Sequence, residues 1–347
     1  MRLRTTDPHL SDSGDRRHNF ASAIFRILYY QDSLKGEKKV EQGRLENRKD
    51  LPQDTLIHGT AADGTIRCMA AVTTNLVAEA ARRHSLWPTV AAALGRTLTG
   101  TLLLGSSLKE LDRLTVQIVS DGPIGGITAE ANAVGQVRGY VRNPEAHAPY
   151  NEKGKLDVRA VVGEGMFYVT RESGYDVGLY RDPYRGSVPL VSGEIAEDFA
   201  FYLMKSEQIP SAVVLGVLLQ PKAPYVSAAG GLMIQMMPGA DEKTINTIEA
   251  SVSQMPQATI MIRDGARPLD LLRASLGEIE FEMLDERPVN FACSCSYKRA
   301  VSLISSIDHD ELESMLREDK GAVMTCHFCN ETYRLDEAEL KSIIQGQ

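Results

Sequence analysis

Residues 88–105 read PTVAAALGRTLTGTLLLG, the longest apolar run of the chain, and its reading decides the fold. Extended through Ser106, Ser107 and Leu108, it reaches about the ~20 residues that cross a bilayer. Yet it carries Arg96, three glycines (Gly95, Gly100 and Gly105) and several threonines, which is poor composition for a lipid-facing span. It therefore reads as a helix buried inside a globular protein, beginning at Pro88.

Working upstream, DGTIRCMAAV (63–72) alternates, with Ile66, Cys68 and Ala70 on one face and Arg67 and Met69 on the other, the pattern of a strand. Cys68 in this apolar strand reads as a core residue. TTNLVAEAARRH (73–84) follows as a helix, with Thr74 or Asn75 as N-cap and Glu79 in its early turns. His84 and Trp87 in RRHSLWP mark the end of that helix rather than a site. A two-helix layer over a sheet is expected.

Downstream, RLTVQIVSDGPIGGITAEANAVGQVRGYVRNP (113–144) reads as three strands parted by the turn signals Asp121-Gly122-Pro123 and Gly135, an antiparallel meander. Its glycine spacing fits neither a phosphate loop nor a dinucleotide fingerprint. Strands at GMFYVTRE (165–172) and SAVVLGVLLQP (211–221) flank a helix in SGEIAEDFAFYLMKSEQIP (192–210), and AAGGLMIQMMPG (228–239) closes an α+β core domain, 51–239, of antiparallel sheet and helices.

Residues 240–289 differ in texture. DEKTINTIEASVSQM places Ile245, Ile248, Val252 and Met255 on one helical face before Pro256, and RPLDLLRASLGEIEF places Leu269, Leu272 and Leu276 on another before Gly277 as C-cap. Helices this short are marginal alone. The segment is expected to be a metastable helical linker, ordered only while a neighbour covers its apolar stripe.

The last domain, 290–347, holds four of the five cysteines. Cys293 and Cys295 form a C-x-C pair, and Cys326 and Cys329 a C-x-x-C pair, with a helix in DHDELESMLRED between them. Two short-spaced pairs on opposing loops can supply the four soft ligands of a tetrahedral zinc ion, and His327 is a weaker competing ligand. Several readings stay open on residue chemistry alone. The favoured one is a constitutive zinc staple in a module too small to hold itself together. Others are four core thiols without a role, and a thiol-disulfide oxidoreductase, although strand-like NETYRL follows the C-x-x-C where a redox motif wants a helix. A switch is the further possibility. A thiolate oxidised to a disulfide no longer ligates, zinc binding in such modules is folding free energy, and metal loss would unfold the module. If the module is the linker's packing partner, Ile245, Ile248, Val252, Leu269 and Leu272 would then be exposed. Both pairs can reach the Cα separation of a disulfide once free, so Cys293–Cys295 and Cys326–Cys329 bridges are feasible.

Composition narrows the class further. At 347 residues with 43% hydrophobic and 24% charged side chains, the chain has an ordinary globular composition. The net charge of −8 offers no basic surplus for a phosphate backbone, and residues 290–347 carry 6 basic against 10 acidic side chains, so nucleic acid is not an expected partner. No secretory or transit signal opens the chain, so a cytoplasmic address is expected, with no membrane partner. No paired carboxylate, Ser-His-Asp or His-rich constellation marks a catalytic site, and no enzyme activity is expected. Residues 1–50, with 11 basic and 8 acidic side chains and little periodicity, read as a disordered extension or a misassigned start, translation beginning near Leu51.

RTLTGTLLLGSSLK from Arg96, LTVQIVSDGPIGGITAEANAVGQVRGYV from Leu114, SGEIAEDFAFYLMKSEQIPS from Ser192, AAGGLMIQMMPG from Ala228, and above all CSC with CHFC resemble the heat shock protein 33 family of redox-regulated chaperones, over roughly residues 55–340. The resemblance implies a holdase that needs no ATP and is inactive while reduced, with one zinc ion on Cys293, Cys295, Cys326 and Cys329. It implies that oxidants convert these cysteines to two disulfides, within each pair, release zinc and disorder the linker. It also implies that the activated form dimerises and holds unfolding client proteins during oxidative stress. Residues 1–50 lie outside the family pattern.

Overall fold

The computed structural model describes residues 53–109, 112–152, 154–173, 183–221 and 225–346; the expectations for residues 1–50 lie outside these. The chain begins with the hairpin β1 (Thr55–Ala61) and β2 (Ile66–Val72), then helices α1 (Thr74–Arg83) and α2 (Pro88–Gly105). The expected meander is β3 (Asp112–Ser120), β4 (Ile127–Asn132) and β5 (Gln136–Val141). Helix α3 (Val158–Val162), strands β6 (Gly165–Ser173) and β7 (Tyr184–Pro189), helix α4 (Ala196–Lys205) and strands β8 (Ser211–Leu219) and β9 (Val226–Met236) follow. Next come α5 (Glu242–Gln254), α6 (Ala258–Arg263), α7 (Pro268–Leu276), β10 (Phe281–Pro288) and β11 (Asn290–Phe291). The chain ends with α8 (Tyr297–Ile304), α9 (His309–Glu318), the hairpin β12 (Ala322–Thr325) and β13 (Thr332–Leu335), and α10 (Glu337–Gln345). The class is α+β, as the residue patterns imply.

Two large sheets organise these elements. One is antiparallel, in the order β10-β1-β2-β9-β8; the other runs β11-β5-β4-β3-β6-β7, antiparallel except where β11 joins β5. Helix α2 lies between them, packing on β2, β8 and β9 of the first and on β3, β4 and β5 of the second. Every residue of it except Pro88 and Arg96 is buried. A helix apolar all round must be covered all round, so the expected helix layer over one sheet is in fact a helix held between two.

The features that argued against a lipid span each have a packing role. Thr97, Thr99 and Thr101 donate to the carbonyls four residues back, at 2.7–2.9 Å, and the Thr99 hydroxyl also meets that of Thr73 at 2.8 Å. Arg96 donates to the Glu194 carboxylate at 2.6 Å and to the Glu194 carbonyl at 3.1 Å. Gly95 and Gly100 allow close approach: a Cβ there would fall 2.6 Å from a Val77 methyl and 2.4 Å from the Phe199 ring. Among the described residues, no helix is long and apolar enough to cross a membrane.

The N-cap of α1 is Thr73, not Thr74 or Asn75, and no cap side chain of its own serves the helix. Its first amides are instead satisfied by Asp54, whose carboxylate accepts from the Asn75 N–H at 3.2 Å and the Leu76 N–H at 2.7 Å. Burial lifts the Asp54 pKa to about 6 against those same bonds. A cap supplied from about twenty positions upstream leaves no local signature.

The period-two alternation of the first sheet gives it two apolar faces. Met69, Ala71 and Met233 face α2, whereas Ile57, Ile66, Cys68, Ala70, Leu232 and Ile234 point the other way. The second face is covered by α5–α7 through Ile248, Val252, Met255, Ile262, Leu271, Leu272 and Leu276. Residues 240–289 thus hold three helices and a strand where two helices were expected. Leu271 is buried and Leu269 only half-buried, because the stripe on α7 is rotated by part of a turn from the expected one. The linker's packing partner is this sheet, not the cysteine-bearing module. Residues 290–346 have a small core of their own, centred on Ile304, Leu312, Ala322, Leu335 and Leu340.

Gly100→Ala is expected to lower the midpoint of urea unfolding by the equivalent of about 1–3 kcal/mol, because the methyl meets the Phe199 ring. Ala gains roughly 1 kcal/mol in helix propensity, so a raised midpoint would show that α2 is not closely packed there.

Candidate metal centre

The first cysteine pair enters from β11. The Asn290 N–H donates to the Gly135 carbonyl at 3.2 Å and the Ala292 N–H to the Val137 carbonyl at 3.0 Å, which fixes the chain against β5 up to Cys293. One residue beyond Cys295, Ser296 caps α8, its hydroxyl accepting from the Arg299 N–H at 3.3 Å. The second pair occupies the turn between β12 and β13. That turn is closed by the Cys326 N–H to the Glu331 carbonyl at 2.8 Å and the Asn330 N–H to the Cys326 carbonyl at 2.7 Å. Asn330 has φ +59°, a conformation asparagine tolerates better than most residues.

The two loops bring the four sulfurs together. All four Sγ atoms lie within 4.8 Å of one another, with Cys293 to Cys326 at 3.7 Å and Cys295 to Cys329 at 3.3 Å. Four sulfurs on a tetrahedron with ~2.3 Å metal bonds stand ~3.8 Å apart, so the donor set and its spacing fit a zinc-type ion. All six separations are within 4.8 Å, and the two contacts at 3.7 and 3.3 Å run between the loops, so proximity in this reduced arrangement does not by itself select bridges within each pair. The fifth cysteine, Cys68, is buried in β2, where desolvation pushes its thiol up to about 12. His327, the competing ligand, is not among the metal-binding group; its ring lies edge-on to Tyr140 at 6.0 Å between centroids.

Residues that no motif pointed to fasten this centre to the main body. Arg138 on β5 pairs with Glu130 at 2.8 Å, and from its other side donates to Cys293 Sγ at 3.4 Å and Ser294 Oγ at 3.1 Å. Its guanidinium also stacks over the Phe328 ring, 4.1 Å from the centroid, while Tyr140 meets that ring edge-on. At the end of α1, the His84 ring nitrogen Nε2 is 3.1 Å from the Phe328 carbonyl, Arg83 donates to the Cys329 carbonyl at 3.4 Å, and the Asn330 amide donates to the Arg83 carbonyl at 2.8 Å. His84 does mark a helix end, as its sequence context implies, and it also touches the C-x-x-C turn. An arginine in a strand carries no sign of a partner 155 positions away, so Arg138 was not legible.

The thiols are not equivalent. Burial raises Cys293, but the Cys295 N–H and the Arg138 guanidinium outweigh it and leave a pKa of about 7. Burial dominates at Cys326 and Cys329 and pushes both up. Tyr333 donates to Cys295 Sγ at 3.1 Å. Neither Cys326 nor Cys329 lies at a helix N-terminus, so the C-x-x-C lacks the dipole that activates a redox dithiol.

Comparison with known proteins agrees with these features. The family model described as Hsp33 protein matches residues 54–336. The "33 kDa chaperonin" of Desulforamulus reducens is 46% identical over 293 residues, 84% of this chain and 98% of that protein. The protein of the same name from Bacillus licheniformis is 47% identical over 291 residues, again 84% and 98%. The crystal structure of the 33 kDa chaperonin (heat shock protein 33 homolog) of Thermotoga maritima superposes with a TM-score of 0.79 at 34% identity, covering 85% of this chain and 99% of that one.

Replacing Arg138 by Met removes its bonds to Cys293 Sγ and Ser294 Oγ and its stacking on the Phe328 ring. With zinc loaded, release of the ion to a competing chelator is expected to speed up by about tenfold, the order of effect seen when a residue supporting a metal ligand is lost. An unchanged release rate would show that Arg138 does not support the centre.

Proposed function

The chain belongs to the Hsp33 family, and we propose that it is a redox-regulated, ATP-independent holdase whose inactive form carries one zinc ion on Cys293, Cys295, Cys326 and Cys329. The observation that carries this reading is the convergence of four thiols within 4.8 Å on two loops that are both tied to the main body. When bound, the ion supplies a fourfold crosslink between those loops, worth on the order of 10–16 kcal/mol in small peptides. The module's five-residue buried core is too small to replace that contribution.

Oxidation removes the donors. In each pair two thiols and one peroxide give one disulfide and two waters, Cys293 with Cys295 and Cys326 with Cys329. Each disulfide takes two electrons from sulfur, and its sulfurs no longer ligate. Loss of the crosslink unfolds the module and withdraws Phe328, Cys329 and Asn330 from α1 and β5. The same continuous chain carries β11 and β10, so loss of the anchor at β5 loosens both strands and, with β10, the flank against which α7 packs, and α5–α7 come away. Helices of 13, 6 and 9 residues do not persist alone, so the face lined by Ile57, Ile66, Leu232 and Ile234 opens to unfolding clients. In this reading the active form is a homodimer, the address is cytoplasmic, where thiols are kept reduced until stress, and no nucleic acid or membrane takes part.

Zinc, free thiols and aggregation of a thermally unfolding client are to be measured together before and after peroxide at elevated temperature. The expected result is loss of one zinc and four thiols per chain together with suppressed aggregation. Retained zinc with unchanged aggregation would make the centre a constitutive staple. Sustained turnover of a small disulfide substrate would make the protein an oxidoreductase.

A further inference from the structure

One continuous segment, 281–291, supplies one edge strand of each large sheet, the other edges being β8 and β7. As β10 it borders β1, from Phe281 opposite Ala61 to Pro288 opposite Thr55, and as β11 it borders β5, with Asn290 opposite Gln136 and Phe291 opposite Val137. Two residues later comes Cys293. Its β10 part pairs with β1 along its whole length through its main chain, and its side-chain contacts with the body are few: Asp285 near His58, Arg287 to the Ala133 carbonyl, and the Phe281 ring against Gly59. Val289 is buried and Phe281 packs on the apolar cluster beneath, but no side chain from Phe281 to Pro288 is buried, and Met283 and Leu284 are about half exposed.

The covering and covered strands differ in character. Glu282, Asp285, Glu286, Arg287 and Pro288 give β10 the charges and proline that discourage further strand addition at an outer edge. Beneath it, β1 reads TLIHGTA and has no Asp, Glu, Lys, Arg or Pro; β5 reads QVRGYV, with one arginine. Uncovered, each would present unpaired N–H and C=O groups on an unprotected edge.

We propose that 281–291 is an internal stand-in for client, and that the edges of β1 and β5 bind extended segments of unfolding polypeptide by main-chain pairing when it leaves. This rests on the holdase reading above and names the mode of client capture within it. The seated segment shows which chemistry the edges accept: an extended chain paired through its backbone, with little demand on side chains. Strand addition of this kind takes affinity from the main chain and so tolerates diverse sequences. The segment's position immediately before Cys293 ties both edges to the state of the thiols.

Hydrogen exchange of the full-length protein tests this in three states: reduced with zinc, oxidised, and oxidised with a bound thermally unfolded client, whose retention is measured in the same sample. The expected result is that β10-facing amides of Thr55–Ala61 and β11-facing amides of Gln136–Val141 exchange faster on oxidation, then slow again with client by on the order of tenfold. A synthetic peptide of residues 281–292 should displace client, and the same peptide N-methylated at alternate residues should not. Four outcomes overturn the proposal. These are amides that stay protected on oxidation, amides that stay fast with client retained, protection regained without client through pairing of two copies, and equal competition by the two peptides. Failure to retain client at all would overturn the holdase reading as well, which separates the two failures.

Discussion

Four sulfurs within 4.8 Å of one another are a constraint on charge: as neutral thiols they coexist, but as thiolates or as disulfides they change what holds the two loops together. As thiolates they repel and need a cation among them. As disulfides they need none, but they no longer hold the two loops together. Burial at Cys326 and Cys329 sharpens the choice by disfavouring uncompensated charge, while Arg138 favours the thiolate at Cys293. In the proposed function, thiolates around a cation and paired disulfides are the two states of the bistable element that a switch requires.

The fold gives that element leverage. The loops it joins touch the end of α1 through Arg83 and His84 and the β5 strand through Arg138 and Tyr140, so the centre reports on contacts with the body and not only on its own small core. From Cys293 the chain runs back without interruption through the strands that border both sheets and into the three helices over the outer apolar face. Those helices cover the sheet but do not form it, whereas α2, enclosed between the sheets, is indispensable to both. The proposed switch uses this division: it removes the cover and keeps the sheets with α2 between them.

Much of this was legible in the sequence where local chemistry decides the outcome. The buried helix at Pro88–Gly105, the meander after it, the linker helix ending at Gly277 and the grouping of the cysteines all follow from periodicity, turn residues and ligand spacing. What was not legible depends on partners distant in sequence. Asp54 caps α1 from another element, the α7 stripe includes Leu271 because of how the helix meets the sheet, and β10 is a strand with no alternation because main-chain pairing, not side-chain burial, holds it. Docking of the C-x-x-C turn by His84, Arg138 and Tyr140 belongs to the same class: each residue has an ordinary local role, and only the fold adds the second one.

The proposed switch makes its most direct claim about helices α5–α7. Hydrogen exchange over residues 242–276 should be measured in the full chain, zinc-loaded and reduced in one sample and oxidised in the other, with α2 as the internal reference. The account predicts that protection of 242–276 collapses on oxidation while that of α2 is kept. Equal protection of 242–276 in the two states would contradict it, because the apolar face of the five-stranded sheet would then stay covered whatever the thiols do.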